Sequence, residues 1–346
     1  MVVDPIAWAA LRLLGGFATG GLFVVLESWM LVSSTPANRG RLMSLYMILL
    51  YGSLAMGQLL LKWVDPMVLT PFALCAMAAT LSVVPLALSR VPTPAMVAPQ
   101  PVGVLELVRL TPAGMGSSFT SGLILGAIYG LLPLYFTDSG ASLSQVADMM
   151  ALVILGGMCL QYPIGRASDR YDRRLVILLL CALLTLIALL MVLLPEPWRE
   201  PVEGTLVFLL GGMAFSIYPL SLSHACDELR PDQVLGANQG LLLAYSLGAM
   251  IGPLLAPFVM LQFGPEGLFV YFALCGALLA GYLGWRRRQR APIPLAEHQV
   301  FMPVPPNTPM TAELEPRTDL EGEAVPASYA APEVEDVEGM EESQVR

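Results

Sequence analysis

The ten residues GRASDRYDRR, positions 165–174, form an island of charge between two apolar runs. The runs, 146–165 and 174–194, each have about the 20 residues that an α-helix needs to cross the hydrocarbon of a bilayer. A short loop with four arginines between two such runs reads as a turn at a membrane surface. The same criterion applied outward gives about nine transmembrane helices, at 6–31, 42–62, 67–89, 111–136, 146–165, 174–194, 204–225, 234–262 and 267–285.

Composition points the same way. Of 346 residues, 56% are hydrophobic and 13% charged, whereas soluble domains carry about a quarter charged residues. The sequence therefore predicts an all-α integral membrane protein. The net charge of -9 is local: residues 291–346 hold 12 acids against Arg317 and Arg346, leaving 15 acids and 16 bases in the body. This tail is rich in Pro, Glu and Ala without periodicity, which predicts a disordered acidic segment. The five cysteines stand singly in or beside apolar runs, without metal or redox spacing, and read as small hydrophobes. No nucleophile–base pair, phosphate loop or metal cluster is visible, so neither an enzyme, nor a cofactor or metal site, nor a nucleic-acid partner is expected.

The loops alternate in charge. Arg39, Arg41, Arg90, Arg109, Arg166, Arg170, Arg173, Arg174, Arg230, Arg286, Arg287, Arg288 and Arg290 fall on one side, against Lys62 and Arg199 on the other. By the positive-inside rule the first side is cytoplasmic, and with it the C-terminus.

The chain also resembles itself. RGRLMSLYMILLYGSLAMGQ carries Gly40 and Gly52, and LGANQGLLLAYSLGAMIGP carries Gly236 and Gly248 at the same spacing, an offset of 196 residues. That offset maps the helix near 204 onto the first and the helix near 267 onto the third. Counterparts of 111–194 would then fall before residue 1.

Together these features resemble the major facilitator superfamily, whose plan is a parallel repeat of two six-helix bundles. GRASDRYDRR is similar to its cytoplasmic loop signature, roughly G-x-x-x-D-R-x-x-R-R, matched by Gly165, Asp169, Arg170, Arg173 and Arg174, with Arg166 inside it. The segment 217–253, the ESW...RGR stretch and QYPIGRASDR resemble a bacterial subgroup of largely unassigned substrate. The resemblance covers about residues 5–290 and implies helices 4 to 12 of the family plan; a genuine nine-helix protein is the other reading. It divides the chain into the remainder of an N-terminal bundle (1–90), a cytoplasmic linker (91–110), a six-helix bundle (111–290) and the tail (291–346).

Within that plan the signature loop latches one conformation during alternating access; its other reading is a positive anchor with incidental acids. Arg12, followed by a glycine-rich face, either lines a cavity or snorkels outward. Glu27 is a mid-membrane acid, an interfacial residue, or a latch in a cytoplasmic charge network with Arg39 and Arg41, its partner an arginine of a loop before residue 1. Cavity candidates are Arg12, Ser117, Thr120, Ser121, Tyr129 and Tyr218, although helix hydroxyls commonly bond back to their own backbone. Gly16, Gly20, Gly52, Gly57, Gly248 and Gly252 are expected at helix-packing faces.

The function implied by the resemblance is secondary active transport of a small solute across a bacterial inner membrane by a multi-pass monomer embedded in lipid, with a proton or ion as a candidate coupling partner. The alternatives are a non-transporting membrane scaffold or regulator, using the acidic tail as a docking arm, and an inactive truncated transporter.

Overall fold

Apolar runs become helices because only a helix satisfies every backbone polar group within its own segment in lipid. The structure, a computed structural model, describes residues 4–32, 39–65, 68–88, 104–229, 234–289, 301 and 305–306, and shows no strand among them. The helices are α1 (Pro5–Val32), α2 (Arg39–Leu60), α3 (Thr70–Leu88), α4 (Val104–Leu110), α5 (Pro112–Asp138), α6 (Leu143–Ser168), α7 (Arg173–Leu193), α8 (Glu196–Arg199), α9 (Glu203–Glu228), α10 (Val234–Phe263) and α11 (Gly267–Gln289). Among the described residues eight helices are long and apolar enough to cross a membrane. The ninth expected span has its counterpart in α3, Thr70–Leu88, whose apolar stretch within the described residues is Thr70–Pro85.

Local chemistry sets the helix ends. Pro112 opens α5, where its missing N–H costs nothing. Ser142 and Gln145 form a reciprocal capping box at the start of α6, and Asp172 caps α7 by accepting from the Arg174 backbone N–H at 3.0 Å. The α5–α6 and α10–α11 turns pass through Gly140 and Gly264 at φ 86° and 75°, a region glycine enters without strain.

Six helices, α5, α6, α7, α9, α10 and α11, pack into one body, held by close backbone approach. In the α5–α10 pair the glycines are reciprocal: a Cβ on Gly122 or Gly126 would run into the backbone of Tyr245 or Ala249, and one on Gly248 or Gly252 into the carbonyls of Phe119 or Leu123. The α6–α9 pair repeats the device with Gly156 against Phe208 and Gly211 against Val153. Small residues substitute here for the hydrophobic drive that lipid does not provide between helices.

The first three helices are placed differently. α2 lies along α6, its buried stripe Met43, Met47, Tyr51 and Ala55 recurring every four residues on one face. Met47, Tyr51 and Ala55 join the core of the six-helix body, and Lys62, just past the end of α2, pairs with Asp148 of α6 at 2.5 Å. In α1, none of the most apolar 18-residue window is buried. Among the described residues, no atom lies within 4 Å of where a Cβ on Gly16, Gly20, Gly52 or Gly57 would stand, so the expected packing of these glycines is not seen there. Among the described residues no helix lies against the glycine face of α1, and Gly52 and Gly57 lie off the stripe through which α2 meets α6. Helix starts at residues 5, 39 and 70 recur at 203, 234 and 267, offsets of 198, 195 and 197.

Candidate functional site

Two arrangements carry polar chemistry. The first is the arginine-rich end of the six-helix body, built by the α6–α7 loop. Asp169 caps α6, and Asp172 caps α7 two residues before Arg174, so helix termination alone fixes both acids beside the arginines. Arg173, 1% exposed, reaches Asp227 near the end of α9 through Nε at 3.1 Å, and its Nη2 lies 3.6 Å from Asp169 Oδ1. A neighbouring link runs from Arg174 Nε to Asp172 Oδ1 at 3.5 Å, and from Arg287 Nε of α11 to Asp172 Oδ2 at 3.3 Å. The loop thereby ties the ends of α6, α7, α9 and α11 with charge. Of the loop residues read as signature positions, Gly165, Arg173 and Arg174 are buried, Asp169 is half-buried, and Arg166 and Arg170 are exposed. Arg166 donates to the Tyr162 hydroxyl at 3.0 Å, within its own helix.

Burying these charges is favourable only because they face each other. An arginine stripped of its carboxylates in such a place is costly by several kcal/mol, whereas a pair in contact with good geometry is tolerated. The arrangement is therefore held in place while Arg173 keeps its acids, and is easy to break by removing one of them. Asp227, which the sequence does not mark as a site residue, is the partner missed; 54 positions separate it from Arg173, and the sole cue is that both belong to the arginine-rich side. His224, 3% exposed, lies 3.7 Å from Glu228 Oε2 at the same end.

The second arrangement is a groove of about 590 Å³ along α1, lined by Leu11, Arg12, Gly15, Gly16, Thr19, Gly20, Phe23 and Pro306. Arg12, Gly16, Gly20, Phe23 and Glu27 follow one helical face, and the 15 residues from Arg12 to Glu27 rise about 22 Å. Gly15, Gly16 and Gly20 open this groove, because they leave no side chain to fill it. At its far end Glu27 is fully buried and accepts a hydrogen bond from the Tyr46 hydroxyl of α2 at 2.8 Å. The Tyr46 hydroxyl is a donor to Glu27 that the charge pattern of the sequence does not name. Arg41 is exposed, and the side chain of Arg39 lies outside the described residues.

Glu27 also lies within electrostatic reach of Tyr218 in α9. Tyr218 is buried, its hydroxyl 3.5 Å from Asn238 Oδ1 and its ring 5.2 Å from Tyr245. Phe215 bridges Tyr51 and Tyr129 edge-on at 5.6 and 5.9 Å. These rings line the junction of α2, α5, α9 and α10. Of the α5 hydroxyls, Thr120 bonds back to the Gly116 carbonyl at 2.9 Å. Ser117, Ser118 and Ser121 are fully buried and have no hydrogen-bond partner among the described residues.

Comparison with known proteins agrees with this architecture. The family model described as Major Facilitator Superfamily matches residues 2–242 and, in a second overlapping match, 114–320. A protein of Yersinia pestis (strain Pestoides F) named an uncharacterized MFS-type transporter is 32% identical over 277 residues, 79% of this chain and 70% of that protein. The uncharacterized MFS-type transporter YcaD of Escherichia fergusonii is 30% identical over 269 residues, 77% of this chain and 69% of that protein. No solved structure matches. A multi-pass helical body, a charged loop fitting the family signature and two overlapping family matches lead to one conclusion: the chain belongs to the major facilitator superfamily.

Proposed function

We propose that this chain is a secondary transporter that moves a small solute across the bacterial inner membrane by alternating access, as a monomer, with its arginine-rich end in the cytoplasm. The observation that carries the reading is Arg173, buried between Asp169 of the loop and Asp227 of α9. A membrane protein that only needs rigidity is served as well by apolar residues at such a place. A pair that can be exchanged for other partners suits a gate that must close and reopen.

The solute path runs along the α1 groove toward Glu27, Tyr46 and the tyrosines of α2, α5, α9 and α10. Arg12 and Glu27 give the path opposite charges at its two ends, and the buried α5 serines supply hydroxyls along the central helix. Glu27 is also the group we assign to coupling, with a proton or another ion as the driving partner. The reading is tested by expressing the full chain in a deletion strain and measuring uptake and efflux across a broad solute panel. At least one solute should change its accumulation, and Arg173→Ala should abolish the change. An unchanged profile across the panel refutes transport.

A further inference from the structure

Four tyrosines and a phenylalanine gather where α2, α5, α9 and α10 meet, and their rings stand as walls and not as a stack. Phe215 of α9 lies nearly perpendicular to Tyr51 of α2, at 79° with 5.6 Å between centroids, and to Tyr129 of α5, at 81° and 5.9 Å. Tyr218, about one turn further along α9, meets Tyr245 of α10 at 62° and 5.2 Å. Tyr245 is also within electrostatic reach of Tyr51 and Tyr129, so the two sets of rings are neighbours. Tyr51, Phe215 and Tyr218 are buried, whereas Tyr129 is 43% exposed and Tyr245 half-buried, so the cluster presents open ring surface on α5 and α10. Glu27 is fully buried, accepts from Tyr46 at 2.8 Å, and lies within electrostatic reach of Tyr218.

Rings set at steep angles offer a ligand more than apolar area. An aromatic face is the negative part of the ring's quadrupole, and a cation held over several faces is attracted by each. The attraction strengthens where water is excluded, as it is beside buried rings. Glu27 sets the sign, because a carboxylate near the rings draws a cation and repels an anion. The extent of ring surface sets the class. A bare ammonium ion needs an acceptor for each N–H, whereas a centre wrapped in alkyl or aryl groups needs none and buries those groups against the rings. We propose, resting on the transport reading, that the solute is an organic cation whose ammonium or phosphonium centre carries apolar groups, and that Tyr51, Tyr129, Phe215, Tyr218 and Tyr245, with Glu27 beside them, bind it.

The test measures binding apart from transport. Tritiated tetraphenylphosphonium is dialysed to equilibrium against the full chain in nanodiscs, with empty nanodiscs subtracted. Binding should saturate, and triphenylphosphine oxide, similar in shape and uncharged, should compete at least about tenfold more weakly. Tyr129→Leu should weaken binding by about fivefold or more, and the conservative Tyr129→Phe, which keeps the ring face, should restore it. Glu27→Gln should weaken it by about tenfold. Any of four results overturns the proposal: no saturable binding, equal competition by the oxide, a Tyr129→Leu chain that binds as Tyr129→Phe does, or binding unchanged by Glu27→Gln. Transport of another solute in the accumulation panel then still stands. Conversely, a panel without change refutes transport, and saturable binding that weakens in Tyr129→Leu and Glu27→Gln leaves the cation site standing without it.

Discussion

Gly52 in α2 and Gly248 in α10 occupy equivalent places in the repeat, yet their surroundings are opposite. A Cβ at Gly248 would strike the Phe119 carbonyl, while one at Gly52 would meet nothing within 4 Å. The same contrast separates the two regions of the molecule. The six-helix body is held by glycine contacts and buried charge, while α1 and α3 contribute little to its core. Helix formation follows from hydropathy, but what a glycine does depends on which helix comes alongside. Similar sequence in the two halves thus specifies similar helices without specifying similar packing.

Four changes would break or sharpen this contrast. The largest effect belongs to Arg173→Ala, which strands Asp227, 1% exposed at its side chain, without its cation. It should cost about 3–5 kcal/mol in unfolding measured by denaturant titration in detergent, and the pair Arg173→Met with Asp227→Leu should recover most of that loss. Next is Gly248→Val, which forces side-chain atoms against backbone and should lower stability by about 1–3 kcal/mol. Lys62→Ala removes an ion pair whose partners are 29% and 44% exposed, and should cost only about 0.2–1 kcal/mol, falling further as salt rises. A small effect of opposite sign is expected of Gly52→Ala, which should raise the melting temperature slightly, by the roughly 0.5–1 kcal/mol by which alanine favours a helix interior. If Gly52→Ala destabilised as Gly248→Val does, the contrast between the halves would be lost.

How much of this was legible in the sequence follows from the range of each interaction. Helix positions came from runs of apolar residues, a local property, and α2, α5, α6, α7, α9, α10 and α11 begin or end within a few residues of their expected bounds. The loop at 165–174 was legible because its charges interrupt such runs. The Arg173–Asp227 pair was not, since nothing local to either residue names the other. Gly16, Gly20, Gly52 and Gly57 were read as packing positions because spacing cannot report the absence of a neighbour. Tyr46, which donates to Glu27, was not legible, because its hydroxyl is invisible to a reading made in charges. The contact of Phe301 was not legible either: it lies in a segment with no periodicity, and its ring sits where a side chain is missing 136 positions earlier, at Gly165.

The stripe of α2 has a mechanical consequence. One end presents Met43 and Met47 and the other leads to the Lys62–Asp148 pair. Methionine is unbranched and repacks easily around a moving neighbour, whereas an ion pair favours one separation. The joint between α2 and α6 is therefore compliant at its Met43 end, while the other end carries an exposed ion pair that favours one separation but holds it only weakly.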